Sequence, residues 1–410
     1  MQMRTTTASP TRIDALDGLR AIAIGLVFAF HMPFGFGSLD TAVMRGGFIG
    51  VDVFFVLSGF LITLVLLPPK RTGPPDLARF LSRRVTRLVP AFAGLLAVSA
   101  VVGWLDIGGL ASPHWWRQLL FAATASINWP FALGEPAPAT FVTHTWSLAL
   151  EWQWYIGWCL IVWVVVRLGA RRQVLMYGAL TGAALVAMWR SLYWGTGIAE
   201  ERLYYGFDTR GLDGFFIGAV VALALQLYGA PSSRAGIRAM GAVAGVGLFA
   251  IVGLSLTQAT RDEFWYRDAG LSLAAVGAGA LVFYGASAKS GVLRGVLASP
   301  PVLWLGRISY SVYLWHWPVF LLTAEERTGW SFTTAVAVRI PVTLVLSTAS
   351  YLLLERPFLR RRHRSTVSLP AEPTSGGERR GDRPDPEHQP AADGSRLGSE
   401  YRDQHARQGG

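Results

Sequence analysis

Long apolar runs follow one another along this chain, separated by short polar breaks. Ten of them approach the twenty or so residues that a helix needs to cross a bilayer. They lie near residues 16–33, 47–67, 87–105, 146–166, 174–191, 209–229, 237–256, 268–286, 301–323 and 333–354. The pattern predicts an all-α polytopic membrane protein of about ten spans. The stretch 115–133 is also apolar, but Asn128 and Pro130 interrupt it. It reads as a re-entrant or interfacial segment.

The first run breaks its own rule. Asp17-Gly18-Leu19-Arg20 opens it and His31 closes it. Eleven helical steps bring Arg20 and His31 to nearly one face, roughly 16 Å apart along the axis. Ionisable groups inside a span are costly, and by default they mark a pathway or a reactive site.

Composition agrees with the pattern. The chain has 410 residues, of which 52% are hydrophobic and only 15% charged; mean hydropathy is +0.37. Those values fit a multi-pass membrane protein better than a soluble fold. A single cysteine, Cys159, excludes an intrachain disulfide and a cysteine-based metal site. No metal-ligating cluster is expected. No cleavable signal peptide is expected either, because the first run is long and carries charge at its start.

The net charge of +11 does not call for nucleic acid, because the basic residues gather in alternate loops. Lys70, Arg71, Arg79, Arg83 and Arg84 follow span two; Arg167, Arg171 and Arg172 follow span four. Arg234 and Arg238, Lys289 and Arg294, and Arg360 to Arg364 continue the series. The positive-inside rule then puts both termini in the cytoplasm. Three regions follow. Residues 1–11 form a cytoplasmic N-terminal segment, and 12–360 the transmembrane domain. Residues 361–410 form a tail rich in Pro, Gly, Ser and charge, which cannot bury enough surface to order itself.

This topology sorts the polar residues of the spans into two layers. His31, Asp52, the stretch His144-Thr145-Trp146-Ser147 with Glu151, the pair Arg210 and Asp213, and Tyr313 with His316 reach the outer half of five spans. Such groups escape the desolvation cost only by meeting one another or water in a shared cavity. Arg20, Arg84 and Arg87 form the cytoplasmic layer. Arginine forks bind phosphate oxygens bidentately. The two layers suit a donor with phosphates at one end and a reactive group at the other, which is the shape of an acyl-coenzyme A.

These motifs resemble the acyltransferase type 3 family of membrane O-acyltransferases over roughly residues 12–360. The matching stretches are Asp17 to Arg20 with His31, Gly50 to Phe60, Arg84-Val85-Thr86-Arg87-Leu88-Val89-Pro90, His144 to Glu151, Thr209 to Asp213, and Ser309 to His316. The resemblance implies transfer of an acyl group, often acetyl, from acyl-CoA to a hydroxyl of a sugar, a cell-envelope glycan or a glycosylated metabolite such as a macrolide. It assigns the family's essential histidine to His31, its first-helix arginine to Arg20, and its Arg-x-x-Arg pair to Arg84 and Arg87. One departure is visible. Members often carry two acidic residues in the fourth-span motif, whereas here Trp152 follows Glu151. A fused extracytoplasmic esterase-like domain, present in some members, is not expected in this chain.

Each motif has a plainer reading beside the functional one. His316 lies between Trp315 and Trp317 and reads equally as an interfacial anchor. His144 reads as a helix-start residue facing water. Arg83, Arg84 and Arg87 read also as ordinary positive-inside charge. Glu151, Arg210 and Asp213 read either as an ion-pair network between spans four and six or as direct chemistry. Ser58 reads as a small packing residue. A proton-coupled transporter or exporter is the rival function, since it too would place His, Asp, Glu and Arg within spans. The favoured assignment makes His31 the general base, oriented by Asp52, with Glu151 as the further catalytic carboxylate; an acyl-histidine route stays open beside it. Arg20, Arg84 and Arg87 take the donor, acetyl-CoA above all. Trp146, Ser147, His144, Arg210, Asp213, Tyr313 and His316 form a substrate or structural layer.

The topology is open to a direct check. Reporter fusions at residues 75 and 365 are expected to read cytoplasmic, and one at 200 external. An external signal at 75 would invert the scheme.

Overall fold

A computed structural model describes residues 13–36, 44–68, 73–107, 114–194, 196, 200–257, 265, 267 and 269–359. The tail expected to be disordered lies outside these residues, as does the segment before residue 13. All described residues fall within one compact unit, 1–365.

Helices make up the fold, and no strand occurs among the described residues. Ten long helices correspond to the ten apolar runs. They are α1 (Asp14–His31), α2 (Gly50–Leu66), α3 (Leu77–Trp104), α4 (Trp146–Arg167), α5 (Arg172–Tyr193), α6 (Leu212–Tyr228), α7 (Arg234–Thr257), α8 (Gly270–Ser287), α9 (Pro300–Leu322) and α10 (Phe332–Ser350). Their starts carry ordinary signals. The Asp76 side chain accepts from the Arg79 amide to cap α3, Ser331 caps α10 through Thr334, and Pro300 and Pro301 open α9. The interrupted stretch forms two short helices, Trp115–Ala123 and Asn128–Ala132, joined through a left-handed Ala125.

Among the described residues, seven helices are long and apolar enough, by length and composition, to cross a membrane. The chain is an all-α polytopic membrane protein. The remaining long helices, α1, α6 and α9, fall short for a physical reason. Asp14, Asp17 and Arg20 dilute the first; α6 has only 17 residues; Arg307, His316 and several hydroxyls dilute the last. These are helices of the interior. The most apolar stretch of α3 is only 22% buried, against 72% for the span that contains α2. The polar helices are thus shielded among their neighbours, and the most apolar span, that of α2, is buried with them, while α3 and α10 turn most of their surface outward.

The strongest pairings are α2 with α6 and α1 with α9. Both need backbones in close approach. A Cβ on Gly59 would come within 2.0 Å of the Phe215 carbonyl oxygen, and one on Gly218 within 2.1 Å of that of Val56. Gly306 of α9 lies equally tight against the carbonyl of Asp17 in α1. Small residues at such crossings are the usual device for packing helices in lipid. Next to the α2–α6 contact, Trp154 stacks between Trp158 and Phe215, with centroids 4.9 and 5.0 Å away.

Gly59→Val or Gly218→Val is expected to separate α2 from α6. The loss should reach or pass the roughly 3 kcal/mol upper end of ordinary overpacking, because a carbonyl cannot move aside as a side chain can. The check is the thermal midpoint in detergent. Gly157→Ala, whose Cβ meets nothing within 4 Å, serves as the neutral control.

Candidate active site

One cavity opens among α1, α2, α3, α4 and α9, with about 690 Å³ of space including its mouth. Arg20, Arg84 and Arg87 line it together with Glu151, Ser58 and Tyr155. The three-residue spacing of Arg84 and Arg87 on α3 points both toward the same space. Arg84 lies over the rings of Phe80 and Tyr155, at 5.6 and 5.2 Å. Glu151 is already engaged: Ser58 Oγ donates to one carboxylate oxygen at 2.5 Å and the Tyr155 hydroxyl to the other at 2.9 Å. Among the described residues, neither Arg20 nor Arg87 makes a hydrogen bond or ion pair, and Arg20 Nε is buried without an acceptor. A guanidinium in such a place attracts an anion with several oxygens.

The far wall of this cavity is a hydrogen-bonded pair. Ser147 of α4 and the hydroxyl of Tyr313 of α9 lie 2.6 Å apart. The same Tyr313 hydroxyl donates to the backbone carbonyl of His144, so Ser147 is the donor to Tyr313. Beyond that wall three imidazoles converge. The ring centroids of His31 and His316 are 5.2 Å apart, and those of His144 and His316 are 5.4 Å apart. Trp317 packs edge-on to His31 at 5.2 Å.

Backbone carbonyls set the tautomers. His316 Nδ1 lies 2.7 Å from the Tyr313 carbonyl, which accepts a proton and offers none. His316 Nε2 is therefore the lone-pair nitrogen in the neutral ring, and it faces His31 Nδ1 at 3.4 Å. His31 Nδ1 in turn donates to the Val27 carbonyl at 3.0 Å. This leaves His31 Nε2 as the basic nitrogen, with no hydrogen-bond partner among the described residues. Both ring nitrogens of His144 are buried without partners.

Three expectations need correction. Asp52 does not orient His31. Both its carboxylate oxygens are taken by Arg210, at 3.2 Å from Nε and 3.0 Å from Nη2; the nitrogen facing His31 is that of His316. Glu151 is not at the histidine end but in the arginine cavity. Nor do Glu151, Arg210 and Asp213 make one network. Arg210 bridges α6 to α2 inside a cage of Phe48, Trp146 and Tyr204 rings, at 5.0, 5.5 and 4.7 Å. Asp213 instead bridges α6 to Arg190 of α5, at 2.9 Å, and accepts from Ser272 of α8 at 2.6 Å. Gly211, with φ of +79°, makes the turn that sends Arg210 and Asp213 to different partners.

The acyltransferase type 3 model, described as an acyltransferase domain, matches residues 13–355. The chain belongs to this acyltransferase family. Similar relatives include YrhL of Bacillus subtilis, provisionally named a peptidoglycan O-acetyltransferase, 33% identical over 370 residues. The peptidoglycan O-acetyltransferase OatA of Listeria monocytogenes is 29% identical over 375 residues, and the O-acetyltransferase OatA of Staphylococcus aureus 27% over 383. These alignments cover 86%, 86% and 88% of this chain. The chain spans only 56%, 57% and 60% of the length of those relatives. No solved structure matches it significantly.

Several structural residues escaped the sequence reading. Arg339 of α10 has no exposed surface. It gives Nη donors to the carbonyls of Met32, Phe34, Phe320 and Thr323, and Nε to the Thr323 hydroxyl. It thereby ties the loop after His31 to the end of the helix that carries His316. Glu355, in the π-helical turn after α10, accepts from Ser311 of α9. Arg190 and Arg339 are charges within apolar runs, and that alone could have flagged them.

The Asp52–Arg210 pair gives a stability test. Asp52→Asn should lower the thermal midpoint by the equivalent of about 3–5 kcal/mol, because it strands a buried guanidinium. Asp52→Leu combined with Arg210→Met should recover most of the loss. A double variant no better than the single one would mean the pair does more than neutralise itself.

Proposed function

We propose that this chain is a membrane O-acyltransferase that moves an acetyl group from acetyl-CoA to a hydroxyl of a cell-envelope glycan. One observation carries the reading: a cavity with two unpaired arginines ends on a wall whose Tyr313 hydroxyl donates to the backbone carbonyl of His144, one of three converging histidines. The phosphates of the donor meet Arg20, Arg84 and Arg87. Its pantetheine arm follows the cavity, and the thioester reaches Ser147 and Tyr313. The names of the relatives support a glycan as acceptor, with peptidoglycan as the first one to try.

His31 then acts as general base. Its Nε2 takes the proton of the acceptor hydroxyl as the oxygen attacks the thioester carbonyl. The carbon–sulfur bond breaks, and the same proton passes to the departing thiolate. While His31 holds the proton, its Nδ1–H donates to the Val27 carbonyl and toward the lone pair of His316 Nε2. A second imidazole thus takes the place a carboxylate fills elsewhere. The Ser147 hydroxyl, by turning its proton from Tyr313 toward the substrate, supplies a donor for the oxyanion formed in between. A proton-coupled transporter would need no donor cavity of this kind, and membership of an acyltransferase family supports the enzyme.

His31→Ala is expected to abolish transfer while leaving acetyl-CoA binding within about twofold. Arg20→Ala and Arg87→Ala should each weaken donor binding by about ten- to a hundredfold, since a charge-assisted hydrogen bond contributes on the order of 1.5–3 kcal/mol. Donor affinity is measured by calorimetry on protein in nanodiscs, and transfer by CoA release with the glycan present. Normal turnover in the His31 variant would move the role to His316 or His144. Unchanged donor affinity in both arginine variants would remove the donor assignment.

A further inference from the structure

A second hollow, unrelated to the donor cavity, lies between the two short helices of residues 115–132 and the turn that follows them. It has about 790 Å³ of space including its mouth. That segment joins the end of α3 to the start of α4, so it sits at the end of the bundle that holds His144, opposite the arginines. We infer that this hollow binds a pyranose ring of the acceptor glycan, next to the ring whose hydroxyl is acylated. The inference rests on the reading of the chain as a glycan O-acyltransferase.

A pyranose has an apolar face of C–H groups and an edge of neighbouring hydroxyls. The hollow offers both complements. Phe121, Phe131 and Pro130 form an apolar wall. Arg117 and Glu135 form the rim, 3.4 Å apart, with side chains 41% and 49% exposed. Gln118 forms the polar floor and is buried. Arg, Glu and Gln are planar side chains that meet two adjacent hydroxyls at once, the first as donor, the second as acceptor and the third as both. An apolar wall with a few placed polar groups is the usual build of a small-ligand site. The charged rim makes a lipid chain a poor occupant.

The floor is wired to the imidazoles. Thr140 Oγ1 donates to Gln118 Oε1 at 2.5 Å, and the Thr140 carbonyl accepts from Trp317 Nε1 at 2.9 Å. Trp317 packs on His31 and follows His316 in sequence. A sugar held on Gln118 is thus connected, through one threonine and one tryptophan, to the proposed base. Neither Arg117 nor Glu135 touches the donor cavity, so this site and the donor site can be altered separately.

The test uses the full chain in nanodiscs, with acetyl-CoA as donor and a β-1,4-linked N-acetylglucosamine tetramer as soluble acceptor. Arg117→Ala and Glu135→Gln are each expected to raise the acceptor KM about tenfold, the effect of losing one charged hydrogen bond. The acetyl-CoA KM and the thermal midpoint should not change. The exchange Arg117→Glu with Glu135→Arg restores the ion pair but reverses donor and acceptor positions, so it should leave the acceptor KM high. Recovery of the KM in the exchanged protein, or no change in either single variant, would overturn the inference and make the pair structural. Binding of the tetramer is read separately, by saturation-transfer NMR without donor. Wild-type protein that binds the sugar at this rim but transfers nothing keeps the site and sinks the proposed reaction. Wild-type protein that transfers acetyl with a rim-independent KM does the opposite.

Discussion

A buried guanidinium must find acceptors, and the architecture of this protein follows from how that demand is met. Removing a charged group from water costs several kcal/mol even after relaxation. Arg210, Arg190 and Arg339 have no exposed surface, and each is supplied differently. Arg210 has Asp52 and three aromatic rings. Arg190 has Asp213, Ser272 and the Thr209 carbonyl. Arg339 has no acid among its hydrogen-bond partners and is held by four backbone carbonyls and a hydroxyl. These contacts tie α2 to α6, α6 to α5 and α8, and α10 to α1 and α9. Lipid gives helices little hydrophobic reason to associate, so polar ties of this kind also decide which helices are neighbours.

Against that background Arg20 and Arg87 stand apart. The same fold that satisfies three arginines elsewhere leaves these two without a partner, in a cavity whose one acidic side chain, Glu151, is bonded to Ser58 and Tyr155. Supplying Glu151 with two hydroxyl donors holds the carboxylate away from the guanidiniums. Glu151, Asp17 and Glu355 act on these guanidiniums only at longer range, without a hydrogen bond or close ion pair to them, so their N–H groups stay available. The electrostatics of the cavity suit a ligand that brings its own anion, and the proposed donor is such a ligand.

Much of this was legible in the sequence, and the remainder was hidden for definite reasons. Runs of apolar residues located all ten long helices, because in a bilayer the backbone must satisfy itself within each segment. The spacing of Arg84 and Arg87 on one helix placed them on one face. Contacts between helices were another matter. Asp52 and Arg210 are 158 residues apart, and nothing along the chain says that α2 lies against α6. Depth alone suggested Asp52 beside His31, but depth does not specify azimuth, and Asp52 faces Arg210 across the α2–α6 contact instead. Arg339 was overlooked because it sits in an otherwise apolar run, where a lone arginine looks like an exception when it is a tie.

The replacement of a carboxylate by His316 beside His31 follows from the same economy of charge. A carboxylate there would need its own donors or a cation in a region already walled by Trp317, Phe28 and Phe320. A neutral imidazole needs one acceptor for its N–H, and the Tyr313 carbonyl one turn earlier on the same helix provides it. Its other nitrogen is then oriented without any buried charge in the resting state. Charge appears only while a proton is held, and it can be spread over His31, the Val27 carbonyl and the facing His316 lone pair. Arg339 closes the argument, since by clamping Met32 and Phe34 against Phe320 and Thr323 it fixes the two helix ends on which the imidazoles stand. Their 3.4 Å separation is thus held by a positive charge whose partners are backbone carbonyls and one hydroxyl.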